Sequence, residues 1–238
     1  MQMCADNNLE TSQRSEFRRG ITAALPMIAG VVPFALVLGA QAAEKGFSGP
    51  EVPLMTGLNF GGGSEFAVVG LWTSPPHLFL VVAVTFLVNC RHLLMGAALV
   101  PHLRHLPRRT VLPALFFMCD ESWAMGLADA RRRASGFSLP YYLGVSAGLY
   151  FMWVSFTALG ALLGPVIGDV SAYGLDMAFP AVFLVLLRGM WKGARAARPW
   201  LVSLVAAAGT YLLVPGAWYV AAGAVSGVAA AWLLAERP

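Results

Sequence analysis

Three short polar stretches interrupt long apolar segments of the sequence, and their side chains could do chemistry inside a membrane. They contain Glu65, Arg91 with His92, and Asp120 with Glu121. An ionised side chain at the centre of a bilayer costs a few kcal/mol unless it is paired or faces water. Because the stretches lie at similar depths in three segments, we expect them to meet. Arg91 would then pair with one carboxylate, which leaves two in excess to bind a cation or carry a proton.

The first stretch combines its acid with a run of three glycines and reads Phe60-Gly61-Gly62-Gly63-Ser64-Glu65-Phe66. Each glycine disfavours a helix by about 1 kcal/mol relative to alanine, so a helix is expected to break here. A helix that restarts in mid-membrane presents unpaired N–H groups and a partial positive charge, which can hold a carboxylate. An amino acid needs such an anion site, a carboxylate for its ammonium group and an apolar pocket, which Phe60, Phe66 and Trp123 could line.

The same residues also permit simpler interpretations. Glycine runs often only let membrane helices pack closely, although this would not explain the buried acid. Arg91 and its carboxylates could form a structural clamp, and His92 could be held by a hydrogen bond within the bundle. The candidate site comprises the residues of the polar stretches and the adjacent aromatic residues: Phe60, Gly61, Gly62, Gly63, Ser64, Glu65, Phe66, Asn89, Arg91, His92, Asp120, Glu121 and Trp123.

Enzymatic signatures are weak in this sequence. Ser64 after two glycines, together with His92, resembles the serine–histidine pair of an intramembrane hydrolase, but no second glycine follows the serine at the usual place. The cysteines show no paired or metal-ligand spacing, and there is no phosphate-binding loop or cofactor signature. We therefore expect neither an enzyme nor a bound metal or cofactor.

Composition places the chain in a membrane. Of its 238 residues, 58% are hydrophobic and only 12% are charged, whereas a soluble domain has about a quarter charged residues. The net charge of +4 comes from cations in short loops beside apolar blocks, a pattern typical of membrane topology rather than of nucleic-acid binding. Full spans of about 20 residues are expected over Ile21–Ala43, Leu78–Val100, Tyr141–Leu163, Met177–Trp191, Trp200–Val214 and Trp218–Ala235.

Charge distribution favours a topology in which two segments do not cross the membrane. If every apolar block crossed, the arginines within 104–109 would lie outside, against the positive-inside rule. If residues 52–73 and 110–128 each enter and return, all arginine clusters lie inside. We therefore predict an all-α integral membrane protein of about six full spans plus two broken or re-entrant segments, one from each side, with a possible inverted repeat. Residues 1–19 would form a cytoplasmic polar tail, and residues 20–238 a single transporter domain.

At these residues the chain resembles the AzlC family of branched-chain amino acid permeases, from Arg19-Gly20 to about Arg198. The resemblance implies a transporter in the bacterial inner (plasma) membrane that exports branched-chain or related hydrophobic amino acids, coupled to protons. It also implies a small AzlD-type membrane subunit as partner. The shared landmarks are Leu25-Pro26, Gly30, Pro33-Phe34, Gly39, Gly46, Glu51, Phe60 to Phe66, Asn89, Arg91-His92, Asp120-Glu121 and Ala124.

One position departs from the family pattern, which has glutamine where this chain has Glu65 and alanines where it has Gly61 and Gly63. Glu65 could bind a substrate ammonium group, carry the coupled proton, or adapt the site to a cationic solute. Two further alternatives stay open for the whole chain. It could be a passive channel or facilitator for a small solute, or a subunit without transport of its own.

Overall fold

The computed structural model describes residues 2–134, 136–167, 193–214 and 218–234, together with positions 184, 188 and 191. Within these ranges the chain forms helices and no strand, so the predicted all-α class is confirmed. Most of the span predicted over Met177–Trp191 lies outside the described residues. The helices are α1 Gln2–Glu44, α2 Glu51–Asn59, α3 Gly63–Gly70, α4 Leu78–Asn89, α5 Arg91–Leu103, α6 Arg108–Phe116, α7 Asp120–Arg132, α8 Leu139–Ile167, α9 Arg198–Leu213 and α10 Trp218–Leu234.

Helices α1 and α8 form the central pair of the fold and run parallel. Gly20 on α1 lies against Tyr141, and Gly39 lies against Thr157, so the contacts advance together along both helices. A Cβ added to Gly39 would stand 2.0 Å from the Thr157 carbonyl oxygen. Small residues let membrane helices approach this closely. Both helices therefore end at one face of the protein, here called the far face, and begin at the other, the N-terminal face.

Helices α2 and α3 form a hairpin that enters from the far face and returns to it. Trp72, just after α3, packs on Phe47, just after α1, with ring centroids 4.4 Å apart. Both ends of the hairpin therefore lie at the far face. The chain reverses between the helices, where Phe60 has φ 46° and Gly62 has φ 55°, conformations that favour glycine. The predicted re-entrant segment over residues 52–73 is confirmed.

Helix α2 begins at Glu51, where the sequence Ser48-Gly49-Pro50-Glu51 has the features of a helix start. The backbone N–H of Ser48 donates a hydrogen bond of 2.7 Å to the Glu51 carboxylate. This bond holds the pKa of the Glu51 carboxyl below its usual value. The start of the hairpin is thus fixed at the far face before the chain turns inward.

Helices α6 and α7 form a second hairpin, which enters from the N-terminal face. His102, near the end of α5, stacks on Phe137, just before α8, with centroids 5.2 Å apart. The residues on either side of this hairpin are therefore neighbours. Its tip reaches Tyr150 in the middle of α8, where the Phe117 ring lies 4.9 Å from the tyrosine ring. Phe60, at the tip of the first hairpin, lies 5.1 Å from the same ring, so the two tips meet at Tyr150.

The remaining described helices complete the bundle around the hairpins. Helices α4 and α5 together cross from the far face to the N-terminal face, and Leu78–Leu103 is long and apolar enough to span a membrane, as are Thr11–Glu44 and Leu139–Val166. Helices α9 and α10 form the predicted closing hairpin. Its two arms are joined by a 2.7 Å hydrogen bond from the Ser203 hydroxyl to the Gly223 carbonyl oxygen.

A cluster of ion pairs fastens the second hairpin to the central pair at the N-terminal face. Arg19 on α1 donates two hydrogen bonds of 2.8 Å to the two carboxylate oxygens of Asp129 on α7. Glu16 accepts hydrogen bonds from Arg19, from Arg133 and from the Ser138 hydroxyl. Paired charges therefore join α1 to α7 where these helices leave the apolar layer, and the Ser138 hydroxyl connects the start of α8 to the same cluster.

We expect Asp129→Ala to lower the thermal unfolding temperature in detergent, because Arg19 would lose a bidentate partner whose side chain is only 12% exposed. The matched control is Glu44→Ala, which removes an exposed carboxylate at the other end of α1 and is expected to leave the temperature unchanged. Equal unfolding temperatures for both variants and the unmodified protein would contradict the assigned role of the ion pair.

Candidate functional site

A small cavity of about 60 Å³ lies where the two hairpin tips meet. It has a polar wall formed by the tips and an apolar wall formed by α1 and α8. All three polar stretches identified in the sequence contribute residues to it. Its lining residues are Val31, Phe34, Phe60, Gly61, Gly62, Gly63, Arg91, His92, Cys119, Asp120, Glu121, Leu149, Met152 and Trp153.

Arg91 bridges the two tips from the start of α5. Its Nη2 donates a hydrogen bond of 3.0 Å to the Gly61 carbonyl oxygen and lies 3.1 Å from Oδ2 of Asp120. The Nε–H group is buried and has no hydrogen-bond partner among the described residues. An unpaired buried donor is costly, so this N–H is suited to a ligand acceptor. Arg91 can therefore hold both hairpins and still bind an anion.

Asp120 and Glu121 form the first turn of α7, where the helix dipole favours negative charge. The helix starts here because Cys119 caps it: the Cys119 backbone N–H donates to the Ser122 hydroxyl oxygen over 3.0 Å. Asp120 pairs with Arg91. Glu121 lines the same cavity and forms no ion pair within the described ranges. The site thus holds two carboxylates, and of these Asp120 is the one paired with Arg91 in the described structure.

Glu65 lies on the other side of the first tip, and its side chain is almost completely buried, with 1% exposed. Its Oε1 accepts hydrogen bonds from the Gly61 backbone N–H, at 3.1 Å, and from Asn59 Nδ2, at 3.2 Å. Its Oε2 accepts a 2.8 Å bond from Trp153 Nε1. Glu65 does not line the central cavity. It lines a second cavity of about 520 Å³, together with Asn59 and Ser64.

The other polar candidates are connected by a series of hydrogen bonds beside the charged residues. His92 lines the central cavity, and its Nδ1 lies 3.1 Å from the Asn89 carbonyl oxygen. The Asn89 side chain donates to Asn59 Oδ1 over 2.9 Å. Asn59 in turn donates to the Ser64 hydroxyl oxygen over 2.8 Å. Ser64 and His92 thus lie in different cavities, and no hydrogen bond joins them in the described structure.

The three aromatic candidates lie in different parts of the structure. Phe60 lines the central cavity as expected. Phe66 instead stacks on Phe34, with centroids 4.2 Å apart, and it is Phe34 that faces the cavity. Trp123 packs with a second apolar cluster around Tyr142. The structure therefore brings together Arg91, His92, Asp120, Glu121 and the glycines around the central cavity, but not Glu65, Phe66 or Trp123.

Sequence reasoning missed the contributions of α8 and of Asn59. Tyr150 and Trp153 sit in an otherwise apolar span and look like core residues, although they contact the tips and Glu65. Asn59 directly precedes the tip and donates to Glu65. The available signal was the presence of hydrogen-bonding aromatic side chains at mid-span, since buried tryptophan N–H groups usually have a partner.

Comparison with known proteins finds relatives that are membrane or transport proteins. The chain is 30% identical to an uncharacterized membrane protein of Archaeoglobus fulgidus over 184 residues, covering 76% of this chain and 79% of the relative. It is 27% identical to the inner membrane protein YgaZ of Escherichia coli, covering 70% of this chain and 65% of the relative. It is 25% identical to the branched-chain amino acid transport protein AzlC of Bacillus subtilis, covering 77% and 73%. No solved structure matches the chain.

The family relationship covers the hairpins, the central pair of helices and both cavities. The AzlC protein family matches residues 26–167, which extend from α1 to the end of α8. This range contains every candidate site residue. The chain therefore belongs to the AzlC family, and its role is transport across a membrane.

Proposed function

We propose that this protein exports branched-chain or related hydrophobic amino acids across the bacterial inner membrane. The observation that carries the proposal is the central cavity, which places a cation and an unpaired carboxylate opposite an apolar wall. A free amino acid has the complementary groups: a carboxylate, an ammonium group and a side chain. The transport named for the Bacillus subtilis relative supports the choice of substrate.

Each part of the substrate has a proposed partner. The carboxylate would accept from Arg91 Nε–H, whose donor is otherwise unpaired, and from backbone N–H groups of the glycine run. The ammonium group would lie against Glu121. The side chain would contact the apolar wall that includes Leu149 and Met152. Burial of an aliphatic side chain contributes about 1.5–3 kcal/mol, enough to favour valine or leucine over alanine.

We further propose that transport is coupled to protons and requires a small AzlD-type membrane subunit. Asp120 or Glu121 would carry the proton, and His92, which shares their cavity, would relay it. The N-terminus would be cytoplasmic, because cations such as Arg104, Arg108 and Arg109 lie near the N-terminal face and positive charge concentrates inside.

Efflux of labelled valine from cells, with lysine and methionine measured alongside, tests the proposal. The cells would express this chain with and without its small partner. We expect valine efflux that needs both chains and stops when the proton gradient is collapsed. Efflux that persists without the gradient would indicate a passive facilitator, and absence of any amino acid efflux with both chains in the membrane would refute the substrate.

The hydrolase alternative has its own measurement. Ser64 accepts a hydrogen bond from Asn59 and shares no cavity with His92, so we expect no covalent labelling of Ser64 by a fluorophosphonate probe. A labelled Ser64 that is lost in Ser64→Ala would revive a hydrolytic function.

A further inference from the structure

The two cavities lie on opposite sides of the first hairpin tip. The central cavity contacts the glycines from Gly61 to Gly63. The second cavity reaches from Glu51 and Trp72 at the far face inward to Ser64 and Glu65. A solute that moves between the central site and the far face must therefore pass the tip, residues 60–65. The tip is a thin wall between two spaces rather than part of a continuous helix.

Glu65 supplies hydrogen bonds that hold this wall in place. One oxygen accepts from Gly61 and Asn59 on the hairpin itself, and the other accepts from Trp153 on α8. The first pair keeps the tip folded, and the bond to Trp153 fixes the tip to the central pair of helices. Gly61 is also closely surrounded, since a Cβ there would stand 2.4 Å from the Ser64 hydroxyl oxygen and would require that side chain to move.

We propose that Glu65 is a positioning residue that keeps the first hairpin closed between the central cavity and the far face. It acts by joining the tip to Trp153 and does not itself contact the solute. Release of these bonds lets the tip move and connects the two cavities. The role of this closure in transport rests on the proposed function, but closure of the tip itself can be measured without any substrate.

The site requires a carboxylate, since both Glu65 oxygens face donors. A glutamine has one oxygen and one NH₂ group. Its NH₂ group would therefore face either the Gly61 N–H or the Trp153 N–H, and two donors form no hydrogen bond. Asn59 cannot remove this conflict by turning its amide, because the Gly61 backbone N–H remains a donor. Removal of the tryptophan donor by Trp153→Phe would let a glutamine at 65 direct its oxygen to Gly61 and Asn59. The second substitution should therefore relieve the donor–donor conflict, although it does not restore the bond between the tip and α8.

A native cysteine reports on the wall. Cys119 lines the central cavity, and replacement of Cys4 and Cys90 by serine leaves it as the only thiol. The full chain, with its small partner where this is needed for expression, would be placed in oriented vesicles. A membrane-impermeant methanethiosulfonate reagent would be added at the far face, and the rate of Cys119 modification would be measured. The same background with Cys119→Ser gives the zero level.

We expect slow modification with Glu65 present and faster modification in Glu65→Gln by about tenfold, the effect of losing one buried hydrogen bond. Trp153→Phe alone should give an intermediate rate, and Glu65→Gln with Trp153→Phe should return to that intermediate rate, because the donor–donor conflict is gone but the bond from the tip to α8 is still missing. Equal far-face rates in all four proteins would overturn the proposal, as would a double variant at least as fast as Glu65→Gln. If Glu65→Gln does not reach the membrane, the far-face modification rate of Trp153→Phe is compared with that of the protein that retains Trp153. Equal rates would then overturn the proposal.

Efflux measured on the same vesicles separates this inference from the proposed function. Absence of amino acid transport with the expected labelling pattern would refute the substrate and retain the closed wall. Transport with unchanged labelling in every variant would retain the substrate and refute the role of Glu65.

Discussion

Gly39→Ala is expected to prevent stable folding, whereas Gly30→Ala, on the same helix, is expected to be tolerated. A Cβ at Gly39 would stand 2.0 Å from the Thr157 carbonyl oxygen and 2.6 Å from the Ala161 backbone nitrogen, while a Cβ at Gly30 would meet nothing within 4 Å. Backbone atoms cannot move aside without separating α1 from α8. We expect a loss of about 3 kcal/mol or more, the upper range for overpacking.

The measurement is the fraction of monodisperse protein after solubilisation, followed by its thermal unfolding temperature. Gly160→Ala serves as a second test, because a Cβ there would stand 2.2 Å from the Leu36 carbonyl oxygen. It should resemble Gly39→Ala, although it alters the other helix. Unfolding temperatures for both variants equal to that of Gly30→Ala would show that the close parallel packing of α1 and α8 is wrong.

Arg91→Ala is expected to reduce amino acid efflux by about 30- to 150-fold, which corresponds to about 2–3 kcal/mol for a hydrogen bond to a charged group. The substitution removes the link between the Gly61 carbonyl oxygen and Asp120, and it leaves a carboxylate without its cation. Arg91→Lys retains the charge but has no planar fork to contact both partners and an anion, so it should restore only part of the efflux.

Membrane abundance must be matched when these fluxes are compared. Arg104→Ala, which removes an exposed cation just beyond the end of α5, is the control and should transport normally. Asp120→Asn should lose efflux as Arg91→Ala does, because the same ion pair is broken. Normal flux in both Arg91→Ala and Asp120→Asn would refute the proposed mechanism.

The re-entrant hairpins could be predicted from the sequence because their causes are local. Three glycines and an acid interrupt the first hairpin, and the arginines on both sides of the second, within 104–109 and 131–133, exclude a simple crossing by it. The parallel contact of α1 with α8 could not be predicted in the same way. Gly20 and Gly39 indicate that something packs closely on α1, but sequence spacing does not identify Tyr141 and Thr157 as the partners.

The candidate site was predictable to a similar extent. Membrane depth alone correctly suggests that Arg91 and Asp120 meet, since unpaired charges there are costly. Membrane depth also predicted that Glu65 joins them, but the structure places Glu65 on the other side of the first hairpin tip, in the second cavity. The four residues from Gly62 to Glu65 reverse the side of the hairpin tip on which a side chain lies, and no pattern in the sequence records that reversal. Trp153, its partner, lies in an apolar span, where its N–H group indicates a polar partner but does not identify Glu65 as that partner.

The second cavity, which reaches inward from the far face, affects how the membrane voltage acts on the protein. It extends from Glu51 at the far face inward to Asn59 at the tip, and its volume of about 520 Å³ has room for water in the middle of the membrane. Water conducts the external potential inward, so the membrane voltage would fall across the protein between this cavity and the N-terminal face rather than across the full thickness of about 30 Å. A charge that crosses this shortened distance would exchange the whole of the roughly 2.3 kcal/mol that 100 mV provides. A short displacement of one hairpin would be enough to make transport voltage-sensitive.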